Sequence, residues 1–566
     1  MIRKAILNLL LGLGVYQNAF AVDELQERIQ RLSKALQQNA QKIQNLKQAE
    51  LKQQKQLLNA NQKLEKSYEP LVKAPKNNRE SLLARIQYPA KESTKRFFPH
   101  LEFETADHKN SLNIKPFVEF NSDIFSDMNG LRINTGVSSP PVVRQNTVIR
   151  NWLNNAGIIM HSKINDDMHF IFIPNFARNQ AYLAEGHVSI EQYKLLSLRA
   201  GFQNSLVAGT GIMLSSNLIY SGFTTNMAPS KEYGIVGYGS LGESKDTEFN
   251  RFNYLGYHHH FSYQFGIFDG TSDGTFPGLN PIGSTTTVVY LPSSAFAVNK
   301  SFEGRVFYQP FFTQKDHFFE HLGIGIGTST QKPNAQSLLP FIFTIGQNIM
   351  FGYANASTYV VSSRTRYHPQ LVWYKKQWGV YADWAQTIQN LTATFPSPVL
   401  KPSFIINQKN TAGEVQVYYN LTGEDFNIDG NIEPHENFKL FQKGGGWGAL
   451  QVFARFTSFA ADPSTYSKTY RPGDGTIRYY ISDPRLSVSK ANGWSIGLSW
   501  FWNKFFRMRT EFAQTKFVGG CSTGAYNDPI SPGCLSASPQ YFMIPSSKVI
   551  NRPNEYVAMQ SLFLMF

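Results

Sequence analysis

From about residue 112 onward, apolar and polar side chains alternate along the chain in short stretches. Clusters of Gly, Asn, Asp, Ser and Pro separate these stretches. Three of them show the two-sided pattern best. In 506–512, Phe506, Met508, Thr510 and Phe512 oppose Arg507, Arg509 and Glu511. In 450–457, Leu450, Val452, Ala454 and Phe456 oppose Gln451, Phe453, Arg455 and Thr457. In 196–202, Leu196, Leu198, Ala200 and Phe202 oppose Ser197, Arg199 and Gly201. A period of two places each set on one face of a strand. No helical period of useful length interrupts the pattern. The strands and loops of 112–566 supply roughly sixteen antiparallel strands, with short turns on one side and longer loops on the other. A soluble sandwich would turn its charged face to solvent, whereas a membrane barrel is polar inside and apolar outside. The alternation alone does not choose between them.

The last stretch, Tyr556 to Phe566, also alternates, and it stops on an aromatic residue with no polar tail. A buried terminal strand of a sandwich would look similar, but many outer-membrane barrels finish this way. At the other end, Arg3 and Lys4 precede the apolar run Ala5 to Leu13, and Ala19-Phe20-Ala21 gives an A-x-A site. This reads as a secretory signal peptide, 1–21, cleaved after Ala21. No later apolar stretch reaches the ~18 residues a helix needs to cross a bilayer. Export together with the aromatic terminus favours the barrel, the other structure whose backbone groups are all satisfied within lipid.

Before the barrel the period changes. Ile29, Leu36, Ile43, Glu50, Leu57 and Leu64 fall on one core position of a heptad. Leu25, Leu32, Asn39, Leu46, Gln53 and Ala60 fall on the other. Gln and Lys dominate elsewhere, and Pro70 ends the run. The seam predicts an α-helical coiled coil over 22–69, with Asn39, Glu50 and Gln53 able to set register and strand number. A helix this polar is unstable alone, so self-association is expected. The alternative is a partly disordered polar leader. Residues 70–111, with Pro, Lys and Arg and no clear period, read as a linker.

Composition sharpens this outline. The chain of 566 residues carries 44 Phe, 27 Tyr and 8 Trp, yet its mean hydropathy is −0.30. Many aromatics at modest hydropathy fit two-faced strands with aromatic girdles. They also fit a large carbohydrate-binding β protein. The net charge of +14 suggests anion binding until it is located. The leader, the heptad segment and residues 70–100 hold most of the excess, and only +4 falls in 101–566. Placement within a pore, not net charge, must therefore decide ion preference. The two cysteines, Cys521 and Cys534, lie among Gly, Ser, Pro and Asn and read as one loop disulfide in an oxidising compartment.

The second half resembles the phosphate-selective porin O and P family of outer-membrane porins. Val415 to Glu424, ending in Leu421-Thr422-Gly423-Glu424, is similar to a family strand. Gly446 to Phe456 is similar to its Gly-rich approach to a strand bearing an inward Arg. Gly493 to Arg509 resembles its Gly-Leu-x-Trp hairpin, with Asn503 in the turn, and Gln560 to Phe563 its terminal strand. Val148 to Arg150 and Leu196 to Phe202 are weaker matches. The resemblance covers most of 112–566 and is strong after about residue 411. It implies a trimeric sixteen-stranded porin that passes small anions such as phosphate, with a coiled coil as a common companion. One departure bears on phosphate. Where the family has Gly-x-Phe-Lys-x-Pro, this chain has Gly201 to Leu206 without the Lys and Pro. Arg and Lys are the side chains that hold phosphate oxygens.

Arg150, Arg199, Arg305, Arg455, Arg507 and Arg509 are the candidates for the pore wall, because charged rings set ion preference. The competing reading is that they pair with wall acids such as Glu511 or Glu119 and only neutralise the lumen. Arg364, Arg366 and His368 share one face, which a solvated loop explains equally well. His258-His259-His260 is a poor metal site, since adjacent strand residues alternate faces and no Cys or carboxylate has ligand spacing beside them. Enzyme signatures are absent, and Tyr238 to Gly242 misses the nucleophile-elbow pattern by one Gly. No cofactor, metal or nucleic acid is expected. The expectation is an outer-membrane homotrimer through which small solutes or inorganic anions diffuse passively, with the coiled coil reaching into the periplasm. A barrel acting as surface adhesin or receptor through its loops is the alternative.

Overall fold

The alternating stretches pair into a sheet that closes on itself. The structure is a computed structural model. It describes residues 101–126, 147–208, 218–243, 257–270, 300–332, 339–353, 358–393, 405–439, 446–470, 477–522 and 548–565, less a few positions within these spans, and Lys34. The signal peptide and the heptad segment apart from Lys34 lie outside the described residues, as do Cys534 and Phe566.

The strands are β1 (Leu101–Glu104), β2 (Ser111–Ser126), β3 (Thr147–Ile164), β4 (Met168–Asn175), β5 (Tyr182–Ile190), β6 (Ser197–Asn204) and β7 (Lys231–Glu243). Next come β8 (His259–Phe268), β9 (Ser301–Tyr308), β10 (Gly323–Gln331), β11 (Ile342–Phe343), β12 (Ile349–Phe351), β13 (Thr358–Lys375) and β14 (Trp378–Ala393). The rest are β15 (Ile406–Asn420), β16 (Ala449–Ala460), β17 (Lys468–Tyr470), β18 (Ile477–Tyr479), β19 (Val488–Phe501), β20 (Phe506–Ser522), β21 (Val549–Asn551) and β22 (Glu555–Met565). Strands β2 to β10, β13 to β16, β19, β20 and β22 pair antiparallel in chain order. The terminal strand β22 then returns to β2, from Phe117 opposite Met565 to Ser126 opposite Tyr556. The result is a closed antiparallel barrel of sixteen strands, the number predicted, with the terminal strand sealing the seam against the first. Closure leaves no sheet edge to satisfy.

Two short strands extend the seam. β1 pairs with β2 from Leu101 opposite Ile114, just beyond the end of β22. It lies within the stretch read as linker, because Leu101 and Phe103 continue the alternation. β21 pairs with β20 at the opposite rim. β2 begins and β22 ends at one rim, called here the terminal rim. The tightest connections, 376–377, 165–167 and 502–505, are found there. Asn503 Oδ1 accepts from the backbone N–H of Phe505 and Phe506 at 2.8 and 2.9 Å and so shapes the last of these turns. The other rim carries longer connections, including 205–230, 332–357 and 461–487.

Burial decides what the alternation left open. Arg507, Arg509, Glu511, Gln451, Arg455, Ser197 and Arg199 are buried, whereas Phe512, Phe456 and Leu198 on the same strands are exposed. Ile149, Ile235 and Phe302 are exposed by 57–63 % on the outer surface. A soluble sandwich would have this arrangement reversed. Outward apolar and inward polar is the arrangement of a lipid-facing barrel. Near the terminal rim, Trp378 packs on Tyr419, and Trp500, Trp502 and Phe506 pack in series with ring centroids 4.6–5.2 Å apart. Amphipathic rings gathered at one level suit a membrane–water boundary.

Candidate functional site

The lumen is where the strands converge polar side chains, and chain segments from the loop rim fold into it. The first is the β6–β7 connection. Its residues 205–208 and 222–229 are buried, as are Leu218, Ile219 and Tyr220. On leaving β6 it is held by Glu303, whose Oε2 accepts from Ser205 Oγ at 2.9 Å and Leu206 N at 2.8 Å. Gln370 Nε2 then donates to Val207 O at 3.0 Å. That carbonyl lies 2.1 Å from where a Cβ on Gly327 would stand, so only glycine lets the segment sit so close.

Farther along, the segment reaches the wall formed by β2, β3, β16 and β20. Arg455 donates through Nη1 to Tyr220 O at 2.7 Å and through Nη2 to Glu511 Oε1 at 2.5 Å. Arg509 pairs with Glu119, donates to Leu218 O and reaches Ser561 Oγ at 3.0 Å. The Tyr220 hydroxyl donates to Asp123, 3.0 Å from Oδ2, and accepts from Trp152 Nε1 at 2.8 Å and Asn121 Nδ2 at 3.2 Å. Returning to β7, Phe223 N donates to Thr457 Oγ1, and Thr387 Oγ1 donates to Met227 O. A Cβ on Gly222 would come within 1.2 Å of Glu414 Oε2. The irregular backbone of this segment is thus satisfied largely by wall side chains, as buried backbone must be.

The second inward segment is the β11–β12 hairpin with Thr344 to Asn348 between its strands. Ile342, Ile345, Met350 and Phe351 are 0–2 % exposed. They pack with Phe125, Val360, Leu391, Ile406, Phe459, Ala491, Phe517 and Val557 in one apolar cluster inside the barrel. Those wall residues come from eight consecutive strands, β13 through β22 to β2, half the circumference. Phe223 and Met227 of the first segment join the same cluster, and so does Cys521, which is disulfide-bonded. At the terminal rim the connection 421–448 also turns inward, burying Phe426 against Tyr418 and Phe453.

All six arginines predicted from sequence face the interior, and the structure gives each a local partner. Arg150 donates to Asp123 Oδ2 at 2.7 Å and to Gly346 O at 2.8 Å. Arg199 donates to Gln203 and lies over the Tyr238 ring. Arg305 donates to Gln370 Oε1 at 2.9 Å and lies over Tyr257. Arg507 donates to Gly430 O at 2.6 Å between the rings of Phe501 and Phe563. Arg455 and Arg509 hold the inward segment as described. Among the described residues, the buried carboxylates (Glu119, Asp123, Glu185, Glu232, Glu303, Asp383, Glu414, Glu424, Glu511, Glu555) match the buried guanidinium groups (Arg199, Arg305, Arg364, Arg366, Arg455, Arg485, Arg507, Arg509, Arg552) closely in number.

No protein-family model matches the chain, and no curated protein matches it. Solved structures resemble it at the level of chain course. The outer membrane channel DcaP of Acinetobacter baumannii is 10 % identical, with 81 % of this chain and 97 % of that one covered and a TM-score of 0.40. OprB of Pseudomonas putida is 9 % identical over 80 % and 94 %, with a TM-score of 0.41. Salmonella typhi OmpF, in complex with daunomycin, is 10 % identical over 81 % and 98 %, with a TM-score of 0.38. The fold stands on the strand register above, not on these likenesses.

Sequence reasoning missed part of the lumen. Arg364, Arg366 and His368 are not in a solvated loop. They lie on β13 and are at most 1 % exposed, because the period of two continues through them and turns them inward. Arg364 Nε donates to Gln389 Oε1 at 2.7 Å, and His368 Nδ1 is 3.8 Å from Asp383 Oδ1. The inward segments were also missed. One signal was present: Ile342 to Phe351 is too apolar for a loop in water.

Proposed function

We propose that the protein is an outer-membrane channel for passive diffusion of small polar solutes, exported by a cleaved leader and assembled as a homotrimer. One observation carries this reading: a closed sixteen-stranded barrel whose outside is apolar and whose inside is lined by polar and ionisable side chains. A polar lining of this kind is what a diffusion channel presents to hydrated solutes. A coiled coil over 22–69 in the periplasm would reinforce the trimer. Arg150, Arg199, Arg305, Arg455, Arg507 and Arg509 contribute to anion passage only where carboxylates do not offset them, so the preference for anions, phosphate included, is weak. The test is planar-bilayer recording of the purified protein. Stepwise current with a reversal potential near zero in a salt gradient is expected, and a folded protein giving no current in any form, wild type or altered, would sink the reading.

A second reading has one observation in its favour. Inward segments and the apolar cluster close much of the described lumen, as suits a surface receptor or adhesin that binds through its loops. Binding to a surface ligand without any conductance would support it instead.

A further inference from the structure

We propose that the β11–β12 hairpin is a displaceable plug that closes the loop-rim half of the lumen, whereas the β6–β7 segment is a fixed bar. This rests on the channel reading above. The two inward segments differ in how their backbones are satisfied. The hairpin bonds to itself: Ile342 faces Phe351, Phe343 faces Ile349, Thr344 N donates to Asn348 O at 2.8 Å, and Gln347 N donates to Thr344 O at 3.0 Å. Gln347, with φ 63°, makes the left-handed turn at its tip. Removed from the barrel as a unit, it would keep this ladder and lose wall partners only at Gly346 O, Ile349 O and the N–H and C=O of Gly352. Residues 218–223 have no such internal ladder. Leu218 O, Tyr220 O and Phe223 N are bonded to Arg509, Arg455 and Thr457 of the wall, so moving them would orphan backbone groups and buried charges together.

What holds the hairpin is apolar packing and a short set of latches. Arg150 Nη2 donates to Gly346 O, Arg552 Nη1 to Ile349 O at 2.8 Å, and Asn348 Nδ2 to Glu555 Oε2 at 2.7 Å. Ser482 Oγ and Ser487 Oγ both donate to Gly352 O, at 2.7 and 2.8 Å. These latches sit on the wall and on the 461–487 loop, all at the loop rim, the end from which a hairpin can withdraw. The packing surface spans half the circumference, so a seated hairpin excludes hydrated ions from that half. A withdrawn one exposes it.

Two variants test this in planar bilayers, with heat-modifiable electrophoretic mobility reporting the folded barrel. In one, residues 342–353 are replaced by a Gly-Ser linker. In the other, Ile345→Ser, Met350→Ser and Phe351→Ser weaken the packing and leave the backbone and latches intact. Both should raise single-channel conductance several-fold over wild type. If wild type and folded variants conduct equally, the plug is refuted and the channel reading stands. If none of the three conducts while all are folded, the channel reading fails.

Discussion

Glu511→Gln is the sharpest perturbation of the bar. Arg455 and Glu511 are fully buried, 2.5 Å apart. Breaking a buried pair from one side costs about 3–5 kcal/mol, because a charge stays behind without its counter-ion. Arg455→Met with Glu511→Leu removes both charges but leaves Tyr220 O and Ser495 Oγ without their donor and Ile219 N without its acceptor. Each unsatisfied group costs about 1–3 kcal/mol at most, less where water can reach it. With three such groups, the double variant should lose about as much as the single or more. Urea unfolding of the barrel in vesicles, followed by Trp fluorescence, compares the wild type, the single and the double variant. A Glu511→Gln loss under about 1 kcal/mol would mean that the pair is hydrated and that the bar is not held as argued.

Other perturbations probe the same architecture. Tyr220→Phe removes the hydroxyl shared by Asp123, Asn121 and Trp152, and should cost about 1–3 kcal/mol in the same unfolding assay. Gly222→Ala forces a methyl against Glu414, so the bar should lift and become cleavable by external protease in intact vesicles; continued protection would show that Glu414 simply swings aside. In the 309–322 turn, burial pushes the His321 pKa below its ordinary value of 6.5 while its ring stacks on Tyr374. The unfolded chain takes up that proton first as pH falls. Stability is therefore full above about pH 6.5 and falls as the pH drops toward the folded value. His321→Gln should flatten that part of the melting-versus-pH curve, and an unchanged slope would place its origin elsewhere.

The barrel was legible because its signal is local. Each strand repeats inside and outside within a few residues, and closure needs only that the last strand, Tyr556 onward, find the first. The lumen was less legible because its contacts are remote. Nothing near Arg455 announces that its partners are Glu511, 56 residues away, and Tyr220, 235 residues away. The face of Arg364, Arg366 and His368 was readable from the period, but whether it met water or a packed interior depends on segments far away in sequence. The hairpin's apolarity was visible, though its burial inside a barrel was not, since an apolar run of this length also suits a strand.

The two inward segments together constrain how anything passes. Ile342, Ile345, Met350 and Phe351 are almost wholly buried, and each contributes about 1.5–3 kcal/mol when removed from water. Withdrawal of the hairpin into water thus costs on the order of 6–12 kcal/mol, before the latches are counted. At about 1.4 kcal/mol per factor of ten, the unaided withdrawn population is below about one in ten thousand. Spontaneous opening of that size supports rare full-conductance steps, not a steady current. A steady current in the wild type therefore has to run past the seated hairpin, through the half of the barrel that the hairpin does not touch, and its size should not change when the latches are cut. A current that appears only with an external ligand draws on that ligand's preference for the withdrawn state. The dwell times of the wild-type channel, compared with those of the Ser-substituted hairpin, separate these two routes.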